Sequence, residues 1–287
     1  MATSTKYTFS GHESFPCKTL WLKKGYDFAK KNGNWNDADS VVKLGVGKNM
    51  VSSIRYWLRS FSLIKEDLIT DIADYLFNTE NGADSFIEDL GTLWLLHYLL
   101  VSSGEATLYN LLFTRFQRER LTFDRDQVVS FVKRTMIEDG KEKSYNENTV
   151  RKDVGVLLQN YVQPQMAQSM EEYSSLLIDL DLIRQSSDGK QYSFNREGKR
   201  QVPLSILLFA IITEKGNDNT VDYDTLQNIA NIFCINDMEL ISMLRTLQEH
   251  HSDVLRYTDT AGLRQVQFLK NLSPIEILKH YYQNEKL

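Results

Sequence analysis

His12 and Glu13 are neighbours in the stretch Phe9-Ser10-Gly11-His12-Glu13-Ser14-Phe15. A histidine beside a carboxylate can serve as a general base with its orienting group. The same two residue types can equally close a turn, and that reading is the commoner one. A second candidate is acidic. Asp84, Glu88 and Asp89 fall at i, i+4 and i+5, and Glu138-Asp139 with Lys141 makes a loop cluster. Clustered carboxylates, often with a lysine, hold Mg2+ and activate water in metal-dependent nucleases. Acidic runs are more often solvated helix starts. The enzymatic reading therefore rests on His12, Glu13, Glu88 and Asp89, and Mg2+ is the only cofactor it calls for. No zinc spacing, nucleophile elbow or dinucleotide fingerprint occurs. Gly47-Lys48 fails as a phosphate-binding loop: the earlier glycine would fall at Val42, and Asn49 replaces the Mg2+-binding hydroxyl.

The strongest local pattern runs from Val41 to Ile54. A helix-turn-helix needs a compact apolar residue in its first helix and a turn residue free to adopt positive φ four positions later. An apolar residue to seat the second helix follows after six more. Val41, Gly45 and Val51 meet those spacings, and Ile54 and Leu58 continue the stripe. Lys48, Ser52, Arg55 and Arg59 then share the opposite face at i, i+4, i+7 and i+11, with Asn49 beside them. No carboxylate lies between Val41 and Lys65. A lysine at a helix N-terminus opposes the macrodipole, so phosphates are a sensible source of counter-charge. The competing reading is a solvated face paired with the protein's own acidic segment. Arg151 and Lys152 repeat the pattern in the first turn of a later helix, with a second DNA-facing helix and a plain amphipathic helix equally open.

Charge is unevenly distributed. The net charge is −5, yet residues 1–65 hold 11 Lys and Arg against 4 Asp and Glu, while residues 66–100 hold 8 acids and no base. A basic head on an acidic body suits a module that binds a polyanion; mutual packing of the two segments is the alternative.

The elements that must position these residues are mostly helical. Helices are expected over 18–31, 37–44, 49–63, 67–77, 86–101, 107–118, 126–137 and 148–161, with 163–169 the best linker. Residues 86–101 are apolar nearly all round and read as a central helix. Strands are expected over 176–184 and 191–194 around Asp188-Gly189, a hairpin signal. Helices over 204–213, 223–233 and 237–249 precede a second hairpin over 255–258 and 266–269. Helix, helix, hairpin is the chain order of a winged helix, and that order is legible three times. The helix over 237–249 is acidic at its start, which favours a structural or partner-binding role.

Cys17 and Cys234 lie far apart and match no metal spacing, pointing to a reduced, cytoplasmic setting. Residues 1–10 lack an apolar core, so no signal peptide is expected. The longest apolar stretch, Leu90–Val101, is too short for the roughly 20 residues a bilayer demands, so no membrane partner is expected.

Four segments together resemble a known family: Phe9–Phe15; Trp21-Leu22-Lys23-Lys24-Gly25; Leu44–Val51 with Ile54-Arg55-Tyr56-Trp57; and Glu88–His97. They are similar to an uncharacterised-domain family of bacterial defence loci. Its members resemble SspB, the nickase-type component of DNA phosphorothioation systems. The likeness runs from about Phe9 to Tyr161. It implies DNA as a partner, other proteins of the modification or defence system as further partners, and strand nicking as an activity. It assigns no catalytic residue; His12, Glu13, Glu88, Asp89 and His97 are the candidates within its motifs.

The expected fold class is mainly α: winged-helix or helix-turn-helix units with short β-hairpin wings around a central helical core. The expected domains are an N-terminal helix-turn-helix domain over 1–80, a central helical domain over 81–163 with a possible second helix-turn-helix, and a C-terminal winged-helix-like domain over 164–287. The expected function is a DNA-binding component of a phosphorothioation or defence system that nicks one strand. A non-enzymatic transcription regulator or adaptor, and a pure assembly protein, are the alternatives.

Overall fold

The computed structural model describes residues 7–164, 175–198, 201–260 and 262–283. The chain divides into two compact units, Met1–Asn195 and Arg196–Leu287. Both are mainly helical, with small antiparallel sheets.

The first unit opens with α1 (Trp21–Lys30), α2 (Asp39–Leu44) and α3 (Lys48–Ser60). The apolar stripe of α3, Val51, Ile54, Trp57 and Leu58, is buried, as are Trp21, Leu22, Tyr26 and Phe28 of α1. Gly45 ends α2 at φ +64, the left-handed conformation that the spacing demands of a residue without a Cβ. Gly47 then lets α3 begin at Lys48, with no side chain capping its N-terminus.

A short hairpin follows, β1 (Ile64–Lys65) with β2 (Leu68–Ile69), its turn made by Glu66 and Asp67 at φ +51 and +64. This replaces the first turn of the expected helix over 67–77. The helix there, α4 (Asp71–Phe77), starts four residues later because Thr70 caps it, accepting from the Ala73 N–H at 3.4 Å. Leu68 is exposed on the hairpin rather than buried on a helix face.

α5 (Leu90–Ser102) is buried on all sides from Gly91 to Val101 and forms the centre of the unit, as its composition requires. It starts at Leu90 rather than Phe86, since Ile87 has φ +58 and Asp89 caps the helix. α6 (Thr107–Leu111) runs through a π-helical turn, Leu112–Phe116, into the short α7 (Gln117–Glu119). Strand β3 (Thr122–Phe123) leads into α8 (Arg125–Glu138), which opens on a capping box of Asp124 and Gln127. α9 (Glu147–Tyr161) is capped by Asn146.

The expected strand over 176–184 shrinks to β4 (Ile183–Gln185), because 178–180 form a 3-10 turn closed by Asp181 at φ +46. It pairs with β5 (Tyr192–Phe194), and β5 pairs with β3 on its other edge. The hairpin read from sequence as part of the C-terminal region is thus built into the first unit.

The second unit begins with α10 (Leu204–Lys215), buried almost all round. β6 (Thr220–Asp222), α11 (Tyr223–Ile232) and α12 (Asp237–His250) follow, with Asp222 and Asn236 capping the two helices. β7 (Leu255–Thr260) and β8 (Leu263–Phe268) complete a sheet of order β6-β8-β7. The first unit's sheet has the matching order β3-β5-β4. A last helix, α13 (Pro274–Gln283), for which no sequence expectation was set, packs on α10. No helix among the described residues is long and apolar enough to cross a membrane. Both cysteines are buried, and neither is in a disulfide.

Candidate nucleic-acid interface

The outward face of α3 carries the basic residues read from the sequence. Lys48, Asn49 and Ser52 are exposed, while Arg55 and Arg59 are partly covered. Lys48 has no ion pair among the described residues. Arg55 and Arg59 do have one. The Arg55 guanidinium grips Asp67 with both ends of its fork: Nε donates to Oδ1 at 2.9 Å, and Nη2 donates to Oδ2. Arg59 Nη2 reaches the same Oδ1 at 3.3 Å. The hydrogen bond from Arg55, ahead of that from Arg59, holds the Asp67 carboxyl below the usual aspartate range.

Two guanidiniums share one carboxylate, so the cluster keeps a surplus positive charge. The acidic segment after Lys65 therefore answers part of the ridge and leaves its N-terminal half open. The competing reading, pairing with the acidic segment, holds for Arg55 and Arg59, but sequence reasoning did not single out Asp67, which it assigned to a helix. The available signal was weak: two aliphatic-containing pairs, Ile64-Lys65 and Leu68-Ile69, flank two polar residues, which is hairpin spacing.

The second basic pair lies in the second turn of α9, as its fifth and sixth residues, one turn further in than expected because the helix already begins at Glu147 behind its Asn146 cap. Arg151 is ion-paired with Asp126 of α8 and with Glu147 at 3.2 Å. Lys152 is exposed and carries no ion pair among the described residues.

His12 and Glu13 do not form a pair. His12 is buried, and its Nε2 lies 3.0 Å from Oδ1 of Asp153 on α9. The Ser14 N–H donates to its Nδ1 at 3.1 Å, which leaves Nε2 as the nitrogen that donates to Asp153. The Ser10 N–H also donates to Asp153, at 2.9 Å to Oδ2. The ring stacks on Trp57, with centroids 6.1 Å apart, and meets Tyr56 edge-on. A general base needs an open nitrogen facing its substrate; both nitrogens of His12 are engaged. Its position instead ties the N-terminal segment to α3 and α9 together. Gly11 belongs to the same contact, since a Cβ there would stand 2.2 Å from Cδ2 of Tyr56. Glu13 is exposed at φ +49. Asp153 was legible in principle: it lies on the apolar stripe of α9 with Val150, Val154 and Leu157, where a carboxylate requires a partner.

Glu88 and Asp89 lie at the entrance to α5. Asp84 accepts from the N–H groups of Glu88 and Asp89, at 2.9 and 3.0 Å, and from the Thr92 hydroxyl at 2.6 Å. Asp89 accepts from the Gly91 N–H at 2.6 Å. These carboxylates cap a helix, and Glu88 is exposed beside them. Asp139 is likewise engaged, by Tyr7 and by Arg115 at 3.6 Å. Tyr7 is pushed up to about 12, chiefly by desolvation and then by that carboxylate. Mg2+ needs carboxylate oxygens free to meet it in an octahedral shell. Asp84, Asp89 and Asp139 direct oxygens to protein donors while Glu88 stands exposed, and among the described residues no group of three or more His, Cys, Asp or Glu is placed to hold a metal. His97 is a core histidine, with Nδ1 2.8 Å from the Tyr161 hydroxyl and Phe113 packed against it.

Fold and surface together define a mainly α protein of helix pairs and hairpins with a partly neutralised cationic helix on its first unit. The chain belongs to the family described as "Protein of unknown function (DUF4007)", which matches residues 9–282. Among curated proteins none matches. Two solved structures are similar over 97% of this chain and 89% of theirs. One is a magnesium ion-bound SspB crystal structure, at TM-score 0.85 and 25% identity. The other is an SspB crystal structure, at 0.82 and 24%. The resemblance drawn from the four motifs is thereby borne out, and it extends through the C-terminal region.

Proposed function

We propose that the protein is a DNA-binding component of a phosphorothioation-type defence system. The observation that carries this reading is the α3 face: Lys48, Asn49 and Ser52 stand exposed beside two arginines that share one carboxylate. The likeness to SspB supports the defence setting. On this reading α2 and α3 form a helix-turn-helix with β1–β2 as its wing. The two later helix pairs, each with a three-stranded sheet in the order first, third, second, are winged helices. Lys48, Arg55 and Arg59 meet phosphates; Asn49 and Ser52 face the groove; Lys152, with Arg151 beside it, supplies a second contact. The test is a duplex-binding titration across salt concentrations with the wild type and a Lys48/Arg55/Arg59 charge-removal variant. Binding that falls with salt, with a shallower slope in the variant, supports the reading. Binding indifferent to both leaves an assembly protein.

Strand nicking is the finer question. The engagement of His12, Asp84 and Asp89 in structural hydrogen bonds favours a non-enzymatic adaptor that brings other proteins to DNA. A plasmid-nicking assay with and without Mg2+ separates the two. Nicking that disappears in Glu88→Ala while duplex binding persists would restore the enzymatic reading.

A further inference from the structure

Beyond its open N-terminal turn, the outward face of α3 forms the wall of a cavity. Ser52, Arg55, Tyr56 and Arg59 line one side of a hollow of about 330 Å³, and Trp35 and Asn36, from the α1–α2 connection, line another. Glu105 contributes a carboxylate from the connection before α6. The volume lies at the lower end of the range that small-ligand sites occupy, about 300–1,000 Å³. Its aromatic parts are fixed in place. Trp35 is held edge-on against Phe28, with centroids 4.7 Å apart, and Tyr56 is held edge-on against His12. Asn36 is exposed, with its side-chain oxygen 3.5 Å from Nη1 of Arg55. The cavity therefore combines aromatic carbon, an amide, the Glu105 carboxylate, and two guanidiniums that share Asp67.

That set of groups matches one ligand chemistry: a flat nitrogenous ring joined to a phosphate. Aromatic and amide groups recognise unstacked bases, and guanidinium groups take the adjoining phosphate. Taking a base out of a duplex carries an unstacking and unpairing cost, so a fixed receptor for it has a clear purpose.

Building on the DNA-binding reading, we infer that this cavity receives one nucleotide drawn out of a strand. Its base lies between the α1–α2 connection and α3, and its phosphate competes with Asp67 for Arg55 and Arg59. A free mononucleotide has the same chemistry, and the experiment separates the two sources.

The probe is a set of duplexes carrying 2-aminopurine at successive positions, titrated with the full chain to saturation. Fluorescence should rise at one position when the protein is saturating. It should fail to rise with Asn36→Trp, which fills the hollow from an exposed site, also read at saturation. A duplex that binds with no rise at any position overturns the inference and leaves the DNA-binding reading standing. So does a rise that survives Asn36→Trp. If the wild type binds no duplex, the DNA-binding reading has failed and the strand form of the inference falls with it. Saturable binding of a mononucleotide, lost in Asn36→Trp, would then mark a free-nucleotide site.

Discussion

Replacing Asp67 with Asn offers the sharpest separation of a DNA-facing helix from a merely solvated one. In the folded protein Asp67 binds Arg55 through both carboxylate oxygens and Arg59 through one. The cluster of two guanidiniums and one carboxylate carries a net charge of about +1 at neutral pH, and the substitution raises it to about +2. Each additional phosphate neutralised steepens the dependence of log K on log salt by about 0.9. Between about 50 and about 200 mM salt, a fourfold change, the variant should lose roughly 3.5-fold more affinity than the wild type, while binding more tightly at the lower salt. The fold should tolerate the change. Position 67 has φ +64, a region that Asn accepts readily, and the Asn amide oxygen can still accept from one of the arginines. Fluorescence anisotropy on a short labelled duplex reads both quantities. An unchanged slope with no gain in affinity would remove Arg55 and Arg59 from the interface and refute the reasoning.

Other consequences concern the frame around that helix. Gly45→Ala meets no steric obstacle, since nothing lies within 4 Å of its Cβ, but forces a side chain into φ +64; urea unfolding should show a loss of about 1–2 kcal/mol. An unchanged midpoint would mean that the turn relaxes. Asp153→Ala strands the Ser10 N–H and the His12 ring nitrogen in a buried site, and should cost about 1–3 kcal/mol, whereas exposed Glu13→Ala should stay within about 0.5 kcal/mol. Equal losses would contradict the assignment of Asp153 as the histidine's partner. Asp74 is held below the usual carboxylate range, first by its hydrogen bond from Lys30 and then by that from Tyr26. A depressed folded-state pKa gives stability that is present above the unfolded value, about 3.9, and lost as pH falls through the folded value. Asp74→Asn should therefore flatten the acid limb of the stability curve below about pH 5. A limb that stays parallel to the wild type would show that Asp74 contributes nothing there.

Much of the fold was written locally. The α2–α3 turn follows from Gly45 and the apolar residues on either side, because a backbone at positive φ selects glycine whatever surrounds it. The central position of α5 follows from having no polar face. The hairpin β7–β8 follows from alternation. The candidate site was legible only in half: Lys48, Asn49, Ser52, Arg55 and Arg59 do share a face, because helical period alone decides that. Their partial neutralisation was legible only as the alternative of pairing with the acidic segment, without the partner residue. It depends on a two-residue turn that lifts Asp67 back against α3, and the acids around it read equally well as a helix start.

The sequence by itself determined which side chains each helix turns outward and where most helices begin and end, since caps and 3.6-residue periodicity act over a few residues. Tertiary structure alone decided the partners. Asp153, 141 residues from His12, claims the histidine that Glu13 seemed to serve. Asp67 occupies the arginines, and Trp35 and Asn36 turn a helix face into a cavity. Such pairings depend on distances set by how the elements pack, and spacing along the chain carries no information about them.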